Sequence, residues 1–366
     1  MQNQRLGDYI REVNIRNRDL RVTAPMGINI DKFFMPSVAN VIGTDLSNYK
    51  LVSKTQFACN LMHVGRDEKI PIAMLDDNGS IIVSPAYFVF EVSNPDILLP
   101  DYLMMWFRRP EFDRNAWFYT DSDVRGGMSK AALLDVQLPV PPIERQREIV
   151  TEYKTLTHRI RLNQQIIQRL EDTAQALYRK TFIDNIDKQN LPPGWHLATL
   201  GDFCDIFTGK KDVNESLNEG KYRFFSCSPD AYFSNEYIAK GPAVLIAGNG
   251  SYTGRVTYYD KEFDLYQRTY ACIPKNGNIV LTAFLYCVLK FEFQGQFMGG
   301  SRGSSIPYIV RGDIADFEFV YNKNSCLLFS NAAQKILSYM QVKIAENEKL
   351  TELQSLLLAK MGQINI

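Results

Sequence analysis

Histidine is scarce in this chain and cysteine is unpaired. Its three histidines, His63, His158 and His196, stand in unrelated contexts, which argues against general-base chemistry built on imidazole. Its six cysteines are scattered without a CxxC, a pattern that suits reduced thiols better than a disulfide framework. Cys59 and His63 are one helical turn apart, but no second pair completes a four-ligand zinc site. Long apolar runs are missing as well: none approaches the ~18–20 residues of a membrane span. The opening "MQNQRLGDYI" lacks an apolar signal core, so a cytoplasmic protein is expected. There is no Walker-type phosphate loop, no GxGxxG between a strand and a helix, and no GxSxG elbow. "NLPP" at Asn190 breaks the Asn-Pro-Pro-aromatic pattern of an amino-methyltransferase loop. The Pro-Asp within "SPDAYFSNEY" has no following Glu-x-Lys of a nuclease. Net charge has no sign either, because 41 Lys and Arg balance 41 Asp and Glu. These absences describe a binding protein without an active site. They leave open a polyanionic partner, since the distribution of charge matters more than its sum.

What the sequence does contain is repetition. "LGDYIREV" at Leu6 returns as "LGDFCDIF" at Leu200. Well into each half comes an apolar helical run, "DYLMMWFRR" from Asp101 and "TAFLYCVLKF" from Thr282. Each run is followed by an Arg-Gly turn, "VRGGMS" from Val124 and "SRGSSI" from Ser301. A short apolar segment follows, "LLDVQLPV" and "DIADFEFV", and then a long polar helix. The same parts occur twice in the same order.

The long helices carry the clearest periodicity. Ile149, Tyr153, Leu156, Ile160, Asn163, Ile167, Leu170, Ala174 and Leu177 step alternately by four and three, as an a/d seam does. The C-terminal helix repeats this less cleanly through Leu337, Met340, Ile344, Asn347, Thr351, Gln354, Leu358 and Met361. An asparagine stands at the matching step of each seam, Asn163 and Asn347. It either fixes register at some cost in stability or faces a gap or water. A first helix of about 38 residues from Glu144 would be about 57 Å long. Such a stripe needs cover, most economically the second helix, which predicts a two-helix coiled coil within the chain. Pairing between two chains is the alternative.

The regions between the helices read as α+β. β-rich stretches such as "SIIVSPAYFVFEV", "AVLIAGNG", "RVTYYD" and "YQRTYACI" alternate with turn signals such as "DDNGS" and "GNGS". Cationic and amide side chains gather near the turns. The first half offers Arg66, Lys69, Arg125 and Lys130. The second offers Lys210, Lys211, Arg223, Asn249, Arg255, Gln267, Arg268 and Arg302, interleaved with Tyr252, Tyr258 and Tyr266. Arg, Lys, Asn and Gln can read base edges, while hydroxyls and backbone amides hold phosphates. Solvated surface charge and strand packing are the ordinary explanations for any one of these residues alone.

Together these features resemble the specificity subunits of type I restriction–modification systems, over essentially the whole chain. "VSPAYFVFEV" from Val83 resembles a family strand. "LPVPPIERQREIV" from Leu138 resembles the proline-rich exit from a target recognition domain into its conserved helix, and "RLEDTAQALYRKTFID" from Arg169 resembles that helix's end. "LPPGWHLATLGDFCDIFTGKK" from Leu191 resembles the entry to a second such domain. "FVYNKNSCLLFSNAAQKI" from Phe319 departs from the pattern, with no double proline and no Glu-Arg-Gln helix start.

The resemblance implies an α+β fold with an internal pseudo-two-fold repeat. Two mixed target recognition domains, 1–143 and 186–331, would be separated by two long antiparallel helices, 144–185 and 332–366. It implies a non-catalytic chain that reads a bipartite, asymmetric site in double-stranded DNA. Two modification subunits would carry S-adenosylmethionine and methylate adenine, and separate translocating nuclease subunits would cut. The chain itself would hold no cofactor and no metal. A coiled-coil adaptor that joins two proteins and never touches DNA is the competing expectation; it predicts no basic concave surface and no co-purifying methyltransferase.

Overall fold

The computed structural model describes residues 4–37, 43–62, 64, 68–118, 120, 126–184, 186–230, 232–297 and 307–362. The chain divides into two compact units. The first comprises Met1–Arg161 and Glu348–Ile366, and the second Leu162–Asn347. The division falls inside both long helices, Ile143–Phe182 and Lys323–Met361.

The first unit is built on a four-stranded antiparallel sheet in the order Ile10–Glu12, Phe88–Val92, Phe57–Cys59, Ile72–Met74. The second unit has the same sheet from the corresponding stretches: Cys204–Thr208, Thr269–Pro274, Ala243–Ala247, Val256–Tyr259. A further layer repeats too. In the second unit Tyr222–Phe225 lies between antiparallel Tyr232–Ser234 and parallel Glu262–Leu265, which also pairs Ala239–Lys240. In the first unit Met26–Ile28 pairs Phe34–Pro36, Pro25 makes a parallel bridge to Ile82, and Ile81–Val83 pairs Lys50–Val52. The duplication seen in short motifs is therefore a duplication of strand order.

"SIIVSPAYFVFEV" is two strands. Pro85 cannot donate a ladder hydrogen bond, and the chain turns at 84–87, where Tyr87 N–H donates to Ser84 O at 3.1 Å. The repeated "LGD" has a steric cause. A Cβ on Gly7 would lie 3.1 Å from the Leu134 side chain, and one on Gly201 would lie 3.1 Å from the Ala315 carbonyl oxygen. Both glycines let a short turn pack against the small helix before each exit, Lys130–Leu134 or Arg311–Ala315. Each domain is closed by a two-stranded ladder beside that contact: Gln4–Arg5 with Gln137–Leu138, and His196–Thr199 with Glu318–Tyr321.

Helix Pro100–Phe107 buries Tyr102, Leu103, Met104, Met105 and Phe107 against the first sheet. Leu281–Val288 does the same in the second unit, apolar on nearly every face because it is covered on nearly every face. Both cores extend onto the long helices. Ile149, Val150, Leu358 and Met361 join the first core. Ala174, Tyr178, Phe182, Phe329, Ala333, Leu337 and Met340 join the second.

Within each unit the helix pair runs antiparallel. In the first, Gln354 Nε2 donates to Thr157 Oγ1 at 2.7 Å. In the second, Asn163 Nδ2 donates to Asn347 Oδ1 at 3.0 Å, and Tyr178 and Phe329 lie ring to ring at 5.7 Å. The two seam asparagines thus meet each other, and Asn163 is fully buried. Met340 and Leu358 are buried, and Leu156, Ile160, Ile167, Leu170 and Asn347 are half-buried.

Two seam positions are corrected. Leu177 is 38% exposed and Ile344 is 37% exposed. The strict four–three alternation assumes 3.5 residues per turn, whereas a straight helix drifts by ~20° per heptad. After Ala174 the inward positions advance by four, to Tyr178 and Phe182, which leaves Leu177 outside. On the second helix Lys343 takes the inward place, its ammonium 2.7 Å from Glu346. The second helix also begins at Lys323, not at 332. Asn322 Oδ1 accepts from Ser325 N–H at 2.9 Å, a side-chain N-cap that does the work expected of prolines.

Candidate nucleic-acid interface

Most of the second-half candidates come together. The tight hairpin at 248–255 joins two strands of the main sheet. Beside it lie the turn at 266–268, the turn at 226–230 and the segment at 307–310. Gly248 N–H donates to Arg268 O at 2.9 Å, Gly250 N–H to Pro307 O at 3.2 Å, and Ile309 N–H to Gly248 O at 2.8 Å. Buried Thr253 braces the hairpin from within, its hydroxyl reaching Gly250 O at 2.7 Å and Pro307 O at 3.0 Å. The contact at Gly248 admits no side chain: a Cβ there would lie 2.4 Å from Arg268 O. The 210–213 segment joins the group through Gln267 N–H, which donates to Lys211 O at 2.9 Å. The result is a rigid loop cluster. A cavity of about 290 Å³ opens into it, lined by Asn249, Tyr232, Tyr252 and Tyr266 among others.

The polar residues of the cluster divide by what they touch. Lys211 Nζ sits 2.7 Å from Asp264 and 3.1 Å from Glu236. Its ammonium is held charged by the Asp264 hydrogen bond, which raises its pKa. Arg255 donates to Ser228 O at 2.7 Å, and burial lowers its pKa; its role is to hold the 226–230 turn. Gln267 Nε2 donates to Asp212 Oδ2 at 3.1 Å. Arg223 lies over the Phe233 ring at 5.4 Å. By contrast, among the described residues no side-chain hydrogen bond or ion pair holds Lys210, Asn249 or Arg268. Lys210 and Arg268 are exposed and Asn249 is half-buried. Tyr252 and Tyr308 are each 46% exposed at the same end. Tyr258, grouped with the reading tyrosines from sequence, is instead buried and accepts from Gln334 Nε2 at 2.9 Å.

In the first unit the corresponding connection, between Phe57–Cys59 and Ile72–Met74, carries Lys69. It is tied down at both ends: Met128 N–H donates to Leu61 O at 2.9 Å, and Ile70 N–H donates to Asp113 Oδ1 at 3.2 Å. Asp113 also takes the buried Lys32 ammonium at 2.7 Å. Lys32 has a left-handed backbone, φ 67°, and desolvation lowers its pKa. Neither residue was singled out from sequence, because nothing local marks two distant charges as partners. Lys130 pairs with Glu12 and lies over the Phe88 ring at 4.7 Å, its side chain still 47% exposed. Arg66, Arg125, Arg302 and His63 lie outside the described residues. Tyr308, which sequence reading passed over, is carried to the site by its backbone bridge to Asn249.

Among the described residues no group of three or more His, Cys, Asp or Glu could hold a metal ion, and no helix is long and apolar enough to cross a membrane.

Residues 192–321 match the family model described as "Type I restriction modification DNA specificity domain". The chain is 39% identical to the type I restriction enzyme EcoDI specificity subunit of Escherichia coli over 126 residues, 34% of this chain and 27% of that protein. It is 22% identical to the type I restriction enzyme MjaIX specificity subunit of Methanocaldococcus jannaschii over 299 residues, 67% of this chain and 65% of that protein. The matches thus span less than two thirds of these relatives' own length. A crystal structure of the type I restriction–modification S subunit from M. genitalium superposes with a TM-score of 0.60 at 15% identity, covering 98% of this chain and 95% of that one. That likeness establishes the fold.

Proposed function

We propose that this chain, a member of the type I restriction–modification specificity family through residues 192–321, is the DNA-reading subunit of such a system. The observation that carries the reading is the duplicated strand order. The family match falls on the second unit, and the first unit repeats its sheets strand for strand. Both units are then target recognition domains, and each reads one half of a split site in double-stranded DNA. Corresponding loops carry different residues, with Asn249 and Tyr252 in one and Lys69 in the other, so the half-sites differ and the target is asymmetric.

The chain performs no reaction in this scheme. Methyl transfer to adenine, with its S-adenosylmethionine, belongs to two modification subunits docked on the long helices. Cleavage belongs to restriction subunits, and the complex works in the cytoplasm. A charge balance of 41 against 41 supports such a division of labour: phosphate contacts dominate non-specific affinity, base contacts specify, and partners can supply the former.

The test is a map of methylated adenines in the host genome before and after deletion of this gene. A split, asymmetric motif that disappears on deletion is the expected result. A methylome unchanged by the deletion, in a host whose modification subunit is active, defeats the reading.

A further inference from the structure

Building on DNA reading by the second unit, we infer that Asn249 and Arg268 are the base-reading pair of that unit, specifying an A·T pair and a G·C pair of one half-site.

Availability separates these two residues from their neighbours. Lys211, Arg255 and Gln267 have side chains engaged by Asp264 and Glu236, by Ser228 O, and by Asp212. Among the described residues of the cluster, the amide of Asn249 and the guanidinium of Arg268 are not so engaged. An amide pairs bidentately with adenine N6 and N7, and a guanidinium with guanine O6 and N7. Lys210, exposed on the adjacent segment, offers a point charge suited to phosphate.

Placement and rigidity supply the second argument. The 2.9 Å bond from Gly248 N–H to Arg268 O sets the two residues on adjacent backbones. Hydrogen-bonded strands lie ~4.8 Å apart, and base pairs follow one another every ~3.4 Å. The two residues therefore stand at the same end of the unit, close enough to address one half-site. Thr253 and the bridge from Asn249 to Tyr308 hold the hairpin in this form before any ligand arrives. A recognition group on a braced loop loses less freedom on binding than one on a loose loop. Tyr252 lines the same cavity as Asn249 and Tyr308 is bridged to that residue; both are half-exposed and give apolar surface for a thymine methyl or a sugar.

The experiment is selection from a duplex library with randomised sequence, using the full chain co-purified with its modification subunits. The wild-type complex should enrich a split motif in which one half contains an A·T pair and a G·C pair. Asn249→Ala should relax the preference at that A·T position by about ten- to a hundredfold, leaving the other half-site unchanged. Arg268→Lys should relax the G·C position. Asn249→Asp gives a gain rather than a loss: a carboxylate accepts from cytosine N4, so preference at the same position should move from adenine to cytosine. An unchanged motif in Asn249→Ala and Asn249→Asp, with binding retained, overturns the assignment while DNA reading stands. Relaxation in the other half-site overturns it equally. A wild-type complex that enriches no motif at all defeats DNA reading itself.

Discussion

The two places where a globular body hands over to a long helix perform the same task with different chemistry. At the first, Pro139, Pro141 and Pro142 end the domain because proline can neither donate to a ladder nor enter a helix interior. Gln146, fully buried one turn into the helix, then locks the joint. Its Oε1 accepts from Leu99 N–H at 2.9 Å, and its Nε2 donates to Ile97 O and Pro141 O, each at 2.8 Å. At the second joint there is no proline. Asn322 caps the helix and donates to Gly194 O at 2.8 Å. Behind it stands an aromatic cluster, with Phe182 packed 4.9 Å from Phe284 and 5.5 Å from Phe329. The difference teaches that the duplication kept the geometry of the joint and not its residues. One copy adds a buried glutamine bonded to three backbone groups, the other a side-chain cap and an aromatic cluster.

That contrast can be broken at several strengths. The largest effect should come from Phe182→Ala, which opens a cavity in the aromatic cluster and costs about 3–5 kcal/mol. Hydrogen exchange should show the loss in amides of the second unit, and equal loosening of the first unit would refute the assignment of this cluster to one joint. Next is Gln146→Ala, which strands one N–H and two carbonyls at the other joint and should cost about 1–3 kcal/mol. Denaturant titration would measure it; a change under ~0.3 kcal/mol would mean that water replaces the glutamine. Asn322→Ala should cost about 1 kcal/mol, with partial rescue by Asn322→Asp, which keeps the cap but loses the bond to Gly194. No rescue would place the energy in the Gly194 contact instead.

The smallest effect is one of pH. Burial, with Glu292 beside it, raises the Tyr178 phenol well above its ordinary 10.0. The folded protein therefore keeps a proton that the unfolded chain releases. Stability from this site is complete below pH 10 and falls as pH rises further. Tyr178→Phe should flatten that alkaline decline in melting temperature, and an unaltered slope would show that other groups set it.

Much of the architecture was legible in the sequence because it rests on local rules. "LGD" at Leu6 and Leu200 marked the repeat, and each glycine stands where a Cβ would be crowded, 3.1 Å from its neighbour. The prolines marked the first exit, and Asn163 and Asn347 marked matching steps of two seams. Leu177 lies outside because a heptad template hides the slow rotation of a straight helix, and Ile344 because Lys343, bonded to Glu346, takes the inward place one residue earlier. The second exit was set several residues late because Asn322 is a cap only once Ser325 N–H is seen to need one. The candidate interface was legible as a list of residue types and not as a selection among them. Lys211, Arg255 and Gln267 look as suitable for DNA as Asn249 and Arg268 until their protein partners are known.

The sequence by itself determined the repeat, the helix periodicity and the stock of polar side chains near turns, since each depends on neighbours along the chain. Only the tertiary structure decided which of those side chains remain free. Asp264 lies far from Lys211 in sequence, and Asp212 far from Gln267, so these partnerships exist only after the sheets assemble. The same assembly brings Gly248 against Arg268, and with it the amide and the guanidinium proposed to read DNA.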